Sequence, residues 1–274
     1  MMETPVLIPH AGEQLVADLA LGSAEAVIVL PGWGGTRYGP QRILLRTAAA
    51  CAARGYTTLR LDFRGRGDSG GSATASSLDG MIADVTAAVE WLCAEHQVTR
   101  VHLVGLCSGG NVALGAASLL PQVQQVVCWS LLPFMEHKGL AAQQGTHRGQ
   151  RLQQLLRKAL RPETWRKLLR GEANVRGAMH TVVQDKEGDA NERQRKTSRR
   201  DILAQLQHFS GRLHLLYGGQ DPEAAGSEAF FSAWCQQHHI PVDTRVIAGA
   251  PHNFYTAQWT EAVVTQTVQW LTEA

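Results

Sequence analysis

The chain has 274 residues, 44% of them hydrophobic and 18% charged, which suits one large folded domain and excludes a disordered or fibrous chain. Five scattered cysteines (Cys51, Cys93, Cys107, Cys128, Cys235) form no C-x-x-C pair, so a disulfide framework or zinc ribbon is not expected and a reducing cytoplasm is the default. The net charge of +2 hides an asymmetry, because residues 134–200 hold 16 of the 26 Lys and Arg but 7 of the 24 Asp and Glu; that stretch carries +9 and the remainder −7.

The first residues, MMETPVLIPHAGEQ, have neither the basic n-region nor the apolar core of a secretory signal. No run approaches the roughly 18 apolar residues of a membrane span, so a soluble protein is expected. The first buried strand is AVIVL (26–30), followed by the Gly-rich turn PGWGGTRYGP and a helix over 41–53. TTLRLDF (57–63) is the next strand. The stretch 77–96 is a long helix in which Met81, Val85, Ala88, Val89 and Leu92 recur at three- and four-residue spacing, giving one apolar face. RVHLVGL (100–106) is a strand, a small-residue helix starts at Ser108, and QVVCWSLL (125–132) is a strand leading into the basic stretch.

Within residues 134–200, leucines and Trp165 give two amphipathic helices broken at Pro162, and 184–200 reads as a polar loop. A strand at 212–218, a helix at 223–238, a strand at 242–249 and a helix at 257–272 complete the chain. Apolar strands alternating with helices predict an α/β fold with a mostly parallel central sheet and helices on both faces. The expected division is a core of residues 1–133 and 201–274, with residues 134–200 inserted as a basic, mainly helical cap.

GLCSGG, at 105–110, follows a strand and precedes a helix, and its glycines stand two before and two after Cys107. That is the spacing of a nucleophile elbow, where Gly105 and Gly109 let neighbouring backbone approach and the nucleophile sits at a helix N-terminus that favours an anion. The glycines centre on Cys107; Ser108, the competing nucleophile, better supplies its backbone N–H to an oxyanion hole. PGWGG (31–35) stands where the second donor is expected, which makes Trp33 N–H the candidate. Acid and base should follow in that order at strand C-terminal ends, and Asp221 in LLYGGQD and His252 in AGAPHNFY do so, with Glu223 as a rival acid.

Other patterns lead nowhere. GRGDSG (65–70) matches a dinucleotide fingerprint after a strand, but no helix follows it. The pair His238-His239 lacks a third ligand, and no metal site is expected. With Phe134 and Trp165 the only aromatic side chains of Phe, Trp or Tyr type in the basic stretch, nucleic-acid binding is not expected.

Taken together, VIVLPGWGG, LRLDFRGRGDSGG, VGLCSGGNVAL, LLYGGQD and AGAPHNF resemble the α/β-hydrolase superfamily over nearly the whole chain. LDFRGRGDSGG is similar to a structural turn of these proteins, which gives Asp62 and Arg64 a bracing role. GLC, WRKLLRGEANVRGA and APHNF more closely resemble hydrolases associated with the exosortase A system. The resemblance implies acyl chemistry with no cofactor: a Cys107–His252–Asp221 triad attacks an ester or thioester, and Trp33 and Ser108 N–H hold the oxyanion. It leaves open whether the acyl group passes to water, as in an esterase or thioesterase, or to another acceptor, as in an acyltransferase. A non-catalytic scaffold on the same fold is the other reading. Arg166, Lys167 and Arg170 of the cap are candidate contacts for a small acyl substrate bound to a carrier protein or coenzyme A; the oligomeric state is not legible.

Overall fold

Strands that are apolar on both faces belong in the middle of a sheet, and the computed structural model, which describes residues 3–137 and 196–273, places them there. Among the described residues eight strands form one sheet: β1 (Thr4–His10), β2 (Glu13–Ala20), β3 (Glu25–Leu30), β4 (Thr57–Leu61), β5 (Arg100–Leu106), β6 (Val123–Trp129), β7 (Arg212–Gly218) and β8 (Val242–Ile247). Their order is β1-β2-β4-β3-β5-β6-β7-β8. From β4 to β8 every pairing is parallel, whereas β1–β2 and β2–β4 are antiparallel.

The β1–β2 hairpin is absent from the expectations above. Its two-residue turn, Ala11-Gly12, has positive φ at both positions (52° and 80°), the conformation that matches the twist of the flanking strands. Pro5 and Pro9 disguise β1, but an edge strand tolerates proline because one side of its ladder is unpaired.

Among the described residues six helices cover the sheet: α1 (Ile43–Ala52), α2 (Leu78–His96), α3 (Ser108–Ala117), α4 (Ile202–Leu206), α5 (Ser227–Gln237) and α6 (Ala257–Thr272). Their starts follow local chemistry. Ser77 caps α2 by accepting from Gly80 N at 3.0 Å, and Thr256 caps α6 by accepting from Trp259 N at 3.2 Å. Helix α1 starts later than expected because Gln41 and Arg42 take positive φ and confine 40–42 to a 3₁₀ turn. Helix α5 starts four residues late because the Asp221 carboxylate binds the N–H groups of Glu223 and Ala224 in a turn (3.0 and 3.2 Å).

Alternation along each strand divides the core in two. Ile28, Leu103, Val126 and Leu215 pack with α2, α3, α4 and α5, while Val29, Val104, Val127 and Leu216 pack with α1 and α6. Each face is therefore dry, which fixes strand register, since a one-residue slip would exchange the two sets.

The GRGDSG turn is structural. Asp62 is fully buried and accepts from Arg37 N (2.6 Å) and Asp68 N (3.1 Å), and it pairs with the Arg37 guanidinium. Arg64 N and Nε donate to Asp84 on α2 at 3.0 and 2.5 Å. Both side chains thus brace the turn. Most of the expected cap, including Arg166, Lys167 and Arg170, lies outside the described residues. Its described far end is tied to α2: Ser198 Oγ donates to Asp79 Oδ1 (2.5 Å) and Arg199 N to Asp79 Oδ2 (2.9 Å). Among the described residues no helix is long and apolar enough to cross a membrane.

Candidate active site

Strands β3 and β5 are neighbours, with Leu30 opposite Gly105 in register, so the turns that leave their C-terminal ends lie side by side. One turn is PGWGG and the other is the elbow. Cys107 sits at the tip, immediately before α3, with φ 55° and ψ −122°, a conformation L-residues adopt only under constraint. The constraint is steric closeness. A side-chain carbon on Gly105 would lie 2.3 Å from the carbonyl of Gly109, and one on Gly109 would lie 2.5 Å from Pro31 O. The elbow therefore closes only with glycine at both positions.

The end of β7 carries Asp221 and the end of β8 carries His252, both buried (8% and 9% exposed). His252 Nδ1 donates to Asp221 Oδ2 at 2.8 Å. The other oxygen, Oδ1, receives the two backbone N–H groups that open the following turn. Ser130, just past β6, donates its hydroxyl proton to the His252 carbonyl at 2.9 Å and its backbone N–H to Leu216 O on β7 at 2.8 Å. It is fully buried and takes a positive φ of 48°. Three strand ends are thereby pinned to one another.

The protonation of the pair follows from these contacts. Burial opposes a charged His252, but the Asp221 hydrogen bond, a hydrogen bond with the Cys107 side chain and the charges of both raise its pKa to about 10. Burial works to raise Asp221, yet the His252 contact, Ser130 and the Ala224 N–H outweigh it and hold the carboxyl below its usual range. These contacts favour the charged imidazole, held between the Asp221 carboxylate and the Cys107 side chain. Such a group can donate a proton at the sulfur side and be recharged from it. The other four cysteines have no such partner; Cys51 and Cys235 are buried thiols pushed up to about 12 by desolvation.

A cavity of about 180 Å³ opens beside Cys107, with Trp33, Leu78, Leu132, Pro133 and Phe134 in an apolar wall, and Ser108 and Asn111 at the elbow side. Trp33 and Ser108 thus flank Cys107 from the two turns. Glu223 also lines this cavity and makes no bond to His252; the imidazole's partner is Asp221. Sequence reasoning missed three contributors. Ser130 follows a strand without any motif. Arg66 Nε donates to the Trp33 carbonyl at 3.1 Å and so holds the PGWGG turn in place. The Lys196 ammonium lies 5.6 Å from the Trp33 ring centroid at the cavity wall. Among the described residues no cluster of three or more His, Cys, Asp or Glu could hold a metal ion.

A model of the alpha/beta hydrolase fold matches residues 25–181. No curated protein sequence matches the chain. Similar solved structures include an esterase from Pyrococcus furiosus (TM-score 0.69, 19% identity, covering 99% of this chain and 91% of that one). Est1E from Butyrivibrio proteoclasticus, solved with ferulic acid bound, gives a TM-score of 0.66 at 17% identity, covering 98% of both chains. An alpha-beta serine hydrolase homologue from Coxiella burnetii gives 0.64 at 18% identity, covering 99% of both. Identities this low speak to the fold alone, and the fold agrees with the family match across more than half of the sequence. The chain belongs to the α/β-hydrolase fold family.

Proposed function

We propose that the protein is an acyl hydrolase acting on ester or thioester bonds through Cys107, His252 and Asp221, with a covalent acyl-cysteine intermediate. The observation that carries this reading is His252. It is bound to Asp221 at 2.8 Å, and its basicity is raised further by the side chain at the tip of a strained elbow. A structural cysteine needs neither the strained backbone nor the buried acid–base pair.

The Cys107 sulfur forms a bond to the carbonyl carbon while the carbonyl π pair moves onto oxygen, where Trp33 and Ser108 N–H receive it. Collapse expels the alcohol or thiol, to which His252 gives its proton. Neutral His252 then takes a proton from water as the hydroxide adds to the acyl-cysteine, and a second collapse returns the sulfur and the acid. Asp221 keeps the imidazole in the tautomer and orientation this cycle needs. The apolar cavity accommodates the acyl group, and the name of the Pyrococcus neighbour, an esterase, agrees in kind.

The same intermediate would also pass its acyl group to an amine, thiol or alcohol, and a role beside the exosortase A system belongs to this proposal. So does an anionic carrier held by Arg166, Lys167 and Arg170. Incubation with p-nitrophenyl acyl esters and acyl thioesters should give turnover in the wild type and, by intact mass, an acyl adduct on Cys107. Absence of both across chain lengths, with Cys107 resisting iodoacetamide, would leave a non-catalytic scaffold.

A further inference from the structure

The Ser108 hydroxyl presents a problem of accounting. Its Oγ is buried and has no hydrogen-bond partner. A buried hydroxyl without a partner destabilises the folded chain, and alanine at the first residue of α3 would avoid that cost. The hydroxyl is not loosely placed either. Gly32 in the facing turn has no side chain, and the carbon-sized space this leaves is bounded by Cys107 Cβ at 3.6 Å and Ser108 Oγ at 4.0 Å. Cys107, Ser108 and Trp33 line one cavity. The unpaired oxygen thus borders the same gap between the two turns that the nucleophile borders.

We infer that the Ser108 hydroxyl is a side-chain donor to the oxyanion, added to the backbone N–H groups of Trp33 and Ser108 and paired only when the tetrahedral intermediate is present. This rests on the acyl-transfer reading and deepens it. When the sulfur–carbon bond forms, the carbonyl π pair moves onto oxygen, and the O–H of Ser108 donates a hydrogen bond to that charge while keeping its proton. An interaction absent from the free enzyme and made in the transition state lowers the barrier without tightening substrate binding. The missing partner in the resting protein is the expected mark of such a group.

The experiment compares wild type with Ser108→Ala by four measurements. For p-nitrophenyl acetate and butyrate, kcat should fall roughly 100-fold with KM within about twofold, as for loss of one oxyanion donor. Binding of a trifluoromethyl ketone, which adds the Cys107 sulfur to give an oxyanion, should weaken by a similar factor. Alkylation of Cys107 by iodoacetamide creates no oxyanion, so its rate should stay within about twofold. Thermal stability should be equal or higher, since the variant removes an unpaired buried hydroxyl. An unchanged kcat, or alkylation falling in parallel with kcat, would overturn the inference while leaving the Cys107 mechanism standing. A wild type inert to esters and to the ketone would overturn both.

Discussion

Replacing Asp221 by Asn tests the electrostatics of the site most directly, because it keeps the shape and removes the charge. Moving an imidazole from its ordinary value near 6.5 to about 10 corresponds to about 5 kcal/mol in favour of the cation. Burial acts in the opposite direction, so Asp221 and Cys107 together supply more than this net figure. The carboxylate, at 2.8 Å, comes first among the contributions that raise it. Asp221→Asn should therefore lower the His252 pKa by about two units or more. It also frees the imidazole to take the wrong tautomer, so kcat should drop roughly 1000-fold. The assay is a ¹³C-histidine NMR titration from pH 5 to 11, with the His252 resonance identified by its loss in His252→Asn, alongside ester turnover. The sign is clear for stability as well. His252, raised, stabilises fully below about 6.5 and loses that contribution as pH rises through about 10; Asp221, depressed, loses its contribution as pH falls into the acid range. The stability deficit of the variant should thus be greatest at neutral pH. A resonance still titrating near 10 in Asp221→Asn, or kcat within tenfold of wild type, would refute this account.

Gly109→Ala should destabilise by about 3 kcal/mol or more in urea unfolding, because the new carbon would stand 2.5 and 2.7 Å from two backbone oxygens that cannot move independently; a loss under 1 kcal/mol would contradict the steric account of the elbow. His102 and His214 are 4% and 2% exposed, and burial depresses both to about 4, so their contribution is complete above about 6.5 and lost as pH falls towards 4. Urea midpoints should fall from pH 7 to pH 5, and His102→Gln should flatten that slope; an equal slope in the variant would exclude His102 as its source. Charge reversal at Arg166, Lys167 and Arg170 should raise the apparent KM for a coenzyme A thioester several-fold at low salt and little at high salt, whereas an unchanged KM at low salt would reduce this charge to a solvated surface.

The parts of the fold legible in the sequence are those where physics leaves a local mark. Strands buried on both faces, such as β3 and β5, appear as unbroken apolar runs, and α2 shows its helical period because only one of its faces meets the sheet. The β1–β2 hairpin leaves a weaker mark: Leu15, Ala17 and Leu19 are buried, but so is the intervening Asp18, held by the Arg37 and Arg60 guanidinium groups, so no clean alternation shows, and the prolines of β1 read as breaks. Within the site, Gly105 and Gly109 are legible because sterics demands them at fixed offsets, and Asp221 and His252 because strand ends are where such groups can converge. Ser130 and Arg66 are not, since each acts through a contact with a residue far along the chain that no spacing rule anticipates.

The convergence of strand ends has a consequence for biogenesis. Ser130 and the His252 carbonyl it holds are 122 residues apart, and Trp129 reaches Thr267 on α6 across 138 residues. During synthesis the elbow, the PGWGG turn and the strands beneath them leave the ribosome well before β7, β8 and α6 exist. The nascent chain thus carries a thiol with no imidazole beside it, and the proposed Cys107–His252 pair is complete only when the last quarter of the polypeptide docks. Under the proposed mechanism, turnover is accordingly a readout of complete folding, and a nascent chain arrested before β8 is expected to be inert however well its first half is formed.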